Sequence, residues 1–233
     1  MATEITIPTE LSEITLERYA KFMQLEGDDE FKLLKAIQIF AGVDNPKLLP
    51  AKDINLIGTK ILNALNQEPK LVRTFKMNGV RYGLIPNLEK MTFGEYIDLD
   101  DNIGDYKTLH KAMAVLYRPI TSEVNDLYQI EEYKGTEDRA ELFKELNMEI
   151  VGGVMLFFYH LAKECAKHIL TFLTQMKEAQ MTLPQEVSSL LSGDGEQLLA
   201  NWQEVIYLDT PKSLLSLSPS VLARFSTKKN TQN

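Results

Sequence analysis

Four side chains in the second half of the chain have the types and spacing for chemistry: His160, Glu164 and His168, with Cys165 beside them. Residues four apart meet on a helix surface, so one His–Glu pair can hold part of a metal site. All three cannot share one ion, because at about 1.5 Å per residue the two histidine Cα atoms stand about 12 Å apart. A complete site needs ligands from elsewhere, and the only other histidine is His110. A metal-dependent enzyme built on His160 and Glu164, with Asp98 or Asp100, is therefore an alternative rather than the leading reading. The simpler account is polar positions on an amphipathic helix. Cys165 as a nucleophile needs a base and an electropositive setting, and a buried, inert thiol is expected instead.

The second cluster is MTFGEYIDLDD, residues 91–101, which holds Glu95, Asp98, Asp100 and Asp101. Asp98, Asp100 and Asn102 mimic the first three ligand positions of a calcium loop. The pattern fails where Ile103 stands at the sixth position, with Gly104 one place late, and where Leu109 replaces the bidentate glutamate. The expected arrangement has Phe93, Tyr96, Ile97 and Leu99 anchoring a short helix, with Asp98, Asp100 and Asp101 facing water, capping the following helix or accepting a basic partner. Arg118, in LYRPI, is expected at a helix C-terminus, paired with those aspartates or marking a partner interface. Gly152-Gly153 lacks the strand and third glycine of a phosphate loop, so close helix packing explains it better. No cofactor, catalytic residue or metal ligand is assigned.

The elements that must position these residues are mostly helical. LSEITLERYAKFMQLEG, DDEFKLLKAIQIFAG and AKDINLIGTKILNALN carry apolar residues at helical spacing, through Leu16, Tyr19, Ala20 and Met23; Phe31, Leu34, Ile37, Ile39 and Phe40; and Ile54, Ile57, Ile61 and Leu65. The period changes to two over about residues 71–85, where Asn78-Gly79 marks a type I′ hairpin with Phe75, Met77, Val80 and Tyr82 toward a core. Thr92 and Glu95 form a capping box that opens the next helix. Leu109, Ala112, Met113 and Leu116 face inward on a further helix that Pro119 ends. TSEVNDLYQIEEYKG is an irregular connection, GTEDRAELFKELN a helix, and the long run from Met148 the central element of the core.

From Met181 the chain is serine-rich, proline-broken and dotted with apolar clusters, including LLSL and VLARF. Such a segment cannot build its own core, yet is too apolar for a solvated tail. The expected architecture is mainly α: a helical core domain over 1–180 with one inserted hairpin, and an extended segment over 181–233 that docks on itself or a partner. Its contacts are expected around Leu198, Trp202, Val205, Leu214, Leu215, Leu217 and Leu222.

Composition narrows function. The chain has 233 residues, 44% hydrophobic, and a formal charge of -8 from 25 basic and 33 acidic residues. That field repels a phosphate backbone, so nucleic acid is a disfavoured partner. One cysteine fits a reducing compartment and forms no disulfide framework. The N-terminus carries acidic residues where a signal peptide needs basic ones. The longest apolar run, residues 150–162, is short of the roughly 20 needed to span a bilayer, so no membrane role is expected.

The ordered set MTFGEYIDLDD, LHKAMAVLYRPI, IEEYKG and a Gly-Gly run ending in LFFYHL resembles a protein of tailed phages of Bacteroidetes hosts, including crAss-like phages, found beside genes for virion structure and tail assembly. The similarity covers residues 16–173. It implies a non-enzymatic structural or virion-associated protein acting through protein–protein contacts in head, neck or tail, located in the virion or in host cytoplasm during assembly. Other virion or assembly proteins and further copies of the chain are the implied partners. A tail assembly chaperone not retained in the virion is an alternative. A host-directed regulator whose acidic face mimics nucleic acid ranks last, since the charge is modest.

Overall fold

Three helices open the chain in the computed structural model, which describes residues 6–125 and 127–178. They are α1 (Leu16–Met23), α2 (Asp29–Ala41) and α3 (Ala51–Leu65). Thr15 and Asp28 cap α1 and α2 by accepting from the Arg18 and Phe31 amides, which satisfies donors that a helix start leaves free. The Ile54, Ile57, Ile61 and Leu65 stripe of α3 is buried as expected. On α2 the inward face is Leu33, Ala36, Ile37 and Phe40, and Phe31 is left exposed.

The Asn78-Gly79 turn forms as its chemistry requires, with φ of 47° and 83°, between β1 (Thr74–Met77) and β2 (Val80–Leu84). Phe75 stacks on the buried Tyr82, while Val80 is exposed. This hairpin is half of the sheet rather than all of it. The antiparallel order is β1-β2-β3-β4, with β3 (Tyr117–Val124) and β4 (Leu127–Ile130). The stretch expected to be irregular is thus a second hairpin. Val124 pairs with Leu127, and Asn125 takes φ 51° in the turn.

Two helices fill the connection between the hairpins: α4 (Phe93–Ile103) and α5 (Leu109–Leu116). The structure corrects the end of α5. The helix stops at Leu116 and passes without a linker into β3, so Arg118 and Pro119 are strand residues. Pro119 is tolerated there because its carbonyl, which accepts from the Glu131 amide, points to the β4 side. Its missing donor faces the same way, beside a register slip between Ile120 and Ser122.

A four-residue helix, α6 (Glu137–Ala140), leads through a 3₁₀ turn to α7 (Met148–Glu178). The start of α7 is clasped to the start of α1: the Leu16 amide donates to Leu146 O at 2.7 Å, and the Met148 amide donates to Ile14 O at 2.8 Å. Gly153 lets the helix lie on the backbone at Lys70, where an added Cβ would sit 2.1 Å from the carbonyl oxygen. The close approach is therefore of helix to extended chain, not helix to helix.

The centre of the core is α5 rather than α7. Leu109, Ala112, Met113, Ala114, Val115 and Leu116 are all buried, and each large one is worth about 1.5–3 kcal/mol relative to exposure. Tyr82, Tyr117 and Phe143 join the sheet to the helices through edge contacts and through Phe75. Among the described side chains of α7 the buried ones end at Val154, and His160, Leu161, Lys163, Glu164 and Cys165 are exposed. No helix among the described residues is long and apolar enough to cross a membrane. The segment from 181 onward lies outside the described residues.

Candidate functional site

The acidic stretch and Arg118 do come together, though not as expected. Thr92 caps α4 through its hydroxyl, which accepts from the Glu95 amide at 3.3 Å, and Glu95 Oε2 accepts from the Thr92 amide at 2.6 Å. That is the capping box. The other oxygen, Glu95 Oε1, lies 2.5 Å from Arg118 Nη2. Both residues are deeply buried, Glu95 at 3% exposure and Arg118 at 6%. The expected pairing of Arg118 with an aspartate is thus replaced by a pairing with the cap glutamate. Arg118 Nε is buried without a hydrogen-bond partner.

Tyr133 completes the cluster. Its hydroxyl donates to Asp98 Oδ2, and the Arg118 guanidinium stands 5.7 Å from its ring centre, within cation–π range. Burial pushes the Tyr133 hydroxyl well above its usual range; the Asp98 hydrogen bond and the charges of Asp98 and Glu95 add to this, and Arg118 opposes it. Tyr133 therefore stays protonated and serves as a donor. Asp98 and Asn102 lie on a regular helix, with the Asn102 side chain donating to Asp98 O at 2.7 Å, so no calcium loop forms. This arrangement locks α4 against β3.

The locked helix presents an outer face that is not the expected one. Phe93, Tyr96 and Ile97 do not anchor α4; they are 78%, 53% and 41% exposed, and Leu99, Ile103 and Glu95 point inward instead. Asp100 and Asp101 are exposed and continue the same helix face at i+3 and i+4 from Ile97. A cleft of about 510 Å³ lies where β2, β4 and α7 meet, with a mixed lining that includes Leu71, Leu88, Leu127, Phe157 and Phe158 together with Arg73 and Glu89. Tyr128 fixes one wall by donating to Leu84 O at 2.8 Å.

The His160, Glu164 and His168 positions fall on α7 and are exposed. Glu164 lies 3.8 Å from Lys167. Among the described residues no three His, Cys, Asp or Glu side chains gather as metal ligands. Cys165 is exposed rather than buried, because α7 extends past the body where a core position was expected. The third histidine, His110, is buried on α5 with Nε2 3.7 Å from Glu141. Trp202, Leu214, Leu215, Leu217 and Leu222 lie outside the described residues.

Sequence reasoning missed Glu95 as an ionic partner and Tyr133 altogether. A single arginine inside AVLYRPI was the available signal, since a charge within a buried run requires a counter-charge. Tyr133, in a loop with no periodic pattern, gave none. No family model, curated protein or solved structure matches the chain.

Proposed function

We propose that this chain is a non-enzymatic structural or virion-associated protein of a tailed phage, working through protein–protein contacts in the head, neck or tail. The phage assignment rests on the ordered motifs within residues 16–173. The observation that carries the contact role is the α4 face: Phe93, Tyr96 and Ile97 stand in water on a helix whose inner side is held by a buried ion pair. Large exposed side chains grouped on a rigid element mark interaction surfaces, because their burial by a partner costs little ordering.

Quantitative peptide mass spectrometry on gradient-purified virions, with copy number referenced to the portal, tests the reading. Peptides of this chain at a fixed ratio are expected. Absence from virions, despite expression in infected cells, would reject a virion component and leave an assembly chaperone that departs before completion.

A further inference from the structure

The described residues leave the outer side of α4 exposed, with Phe93, Tyr96 and Ile97 followed by Asp100 and Asp101. Residues 93–103 contain no Lys or Arg, and Arg118 is committed to Glu95 on the buried side. A face that is apolar at one end and acidic at the other is complemented by a segment that is apolar and basic and carries no carboxylate. This chain contains one. Residues 210–233 hold Lys212, Arg224, Lys228 and Lys229 and no Asp or Glu, in a protein whose net charge is -8, and there Val221, Leu222 and Phe225 precede Lys228 and Lys229.

We propose that residues 210–233 fold back onto α4 of the same chain as a built-in cover, with Val221, Leu222 and Phe225 against Phe93, Tyr96 and Ile97, and Lys228 and Lys229 against Asp100 and Asp101. This rests on the contact role proposed above and adds a control to it: a partner reaches the α4 face only by displacing the cover. Position and tether length select the chain's own segment. Phe157 and Phe158 of α7 line one cleft with residues 86–89, and those residues lead into α4, so the helix from which the C-terminal residues continue passes beside the approach to α4. From Phe158 to Glu178 α7 advances about 30 Å, and the roughly 50 residues from Glu178 to Lys228 reach up to about 165 Å. The return to α4 lies well within that span. The tether also sets the concentration of the segment at its own α4 on the order of 0.1–1 mM, above that of a second copy in dilute solution.

Carbodiimide crosslinking of the full-length protein at micromolar concentration tests this, since the reagent joins a Lys amine to an Asp carboxylate as an amide, with loss of water, only where the two already touch. A link from Lys228 or Lys229 to Asp100 or Asp101 is expected in the monomer band of a denaturing gel. The link confined to a dimer band would put the segment on a second copy, and no link at all would leave the face uncovered; either result overturns the proposal. Hydrogen exchange of residues 221–226 supplies the second reading. Asp100→Lys with Asp101→Lys, and separately Lys228→Glu with Lys229→Glu, are each expected to speed that exchange at least about tenfold, as like charges meet across the contact. All four changes in one chain restore opposite charges and are expected to restore protection. Asp100 and Asp101 are exposed, so unchanged circular dichroism is the folding control. Wild-type exchange as fast as that of either double variant, or a fourfold variant that stays fast, would also overturn the proposal. Both measurements use purified protein, so their failure is distinct from absence of the chain from virions.

Discussion

At the scale of single residues, the molecule turns on one carboxylate shared by two duties. Glu95 closes the capping box of α4 with one oxygen and neutralises Arg118 with the other. Removing one partner of a buried pair leaves an uncompensated charge, so Arg118→Met is expected to cost about 3–5 kcal/mol in urea unfolding. Lys at the same position should recover little, since it lacks the planar fork and the stacking on Tyr133. A loss under about 1 kcal/mol would show that the pair is not buried as described. The capping box was legible from Thr92 and Glu95 alone because it is a local rule of spacing. The partner was not, since Glu95 and Arg118 meet only through the fold. His110 supplies a pH dependence: burial lowers its pKa below the usual 6.5, with Lys144 and Lys111 acting in the same direction against Glu141 and a Lys107 backbone contact. The unfolded chain then binds more protons than the folded one between the lowered value and 6.5. Stability is full above that window and falls as pH drops through it. The melting temperature should decline below pH 6.5, and His110→Gln should flatten that part of the curve. An unchanged slope would remove His110 as the cause.

Elements were legible where a local rule set them and obscure where a neighbour did. The Asn78-Gly79 hairpin and the α3 stripe needed no tertiary information. The second hairpin was hidden because AMAVLY, residues 112–117, is apolar without interruption across the change from helix to strand. Pro119 then read as a helix stop, whereas it sits in β3 beside a register slip. The α4 face was misread for another reason: Phe93, Tyr96 and Ile97 share a stripe as apolar as a buried one, and only the fold decides which side of a short helix is covered. At the α7 seat, glycine is required by backbone rather than by side chains. Gly153→Ala brings Cβ against the Lys70 carbonyl, which cannot give way, while Gly152→Ala meets only the Pro69 ring at 3.0 Å. The first variant should lose at least about 1–3 kcal/mol and the second less. Equal urea midpoints for the two would contradict the close approach.

For the whole molecule, mainly α was the right class, but the length and greasiness of the run from Met148 misled the placement of the core. Residues of α5 fill the centre, and α7 leaves the body after its first turns. Its single thiol tests that layout: Cys165, exposed on α7, should react completely with a thiol reagent in native buffer. Reaction only after denaturation would mean that α7 is covered. The direct passage from Leu116 to Tyr117 has a mechanical consequence. With no loop between them, α5 and β3 are joined like a crank: the buried helix is the axle, and the two hairpins are the arm. A displacement of the sheet is thereby coupled through a single peptide link to the helix at the middle of the protein. The Glu95–Arg118 pair ties the same strand directly to α4.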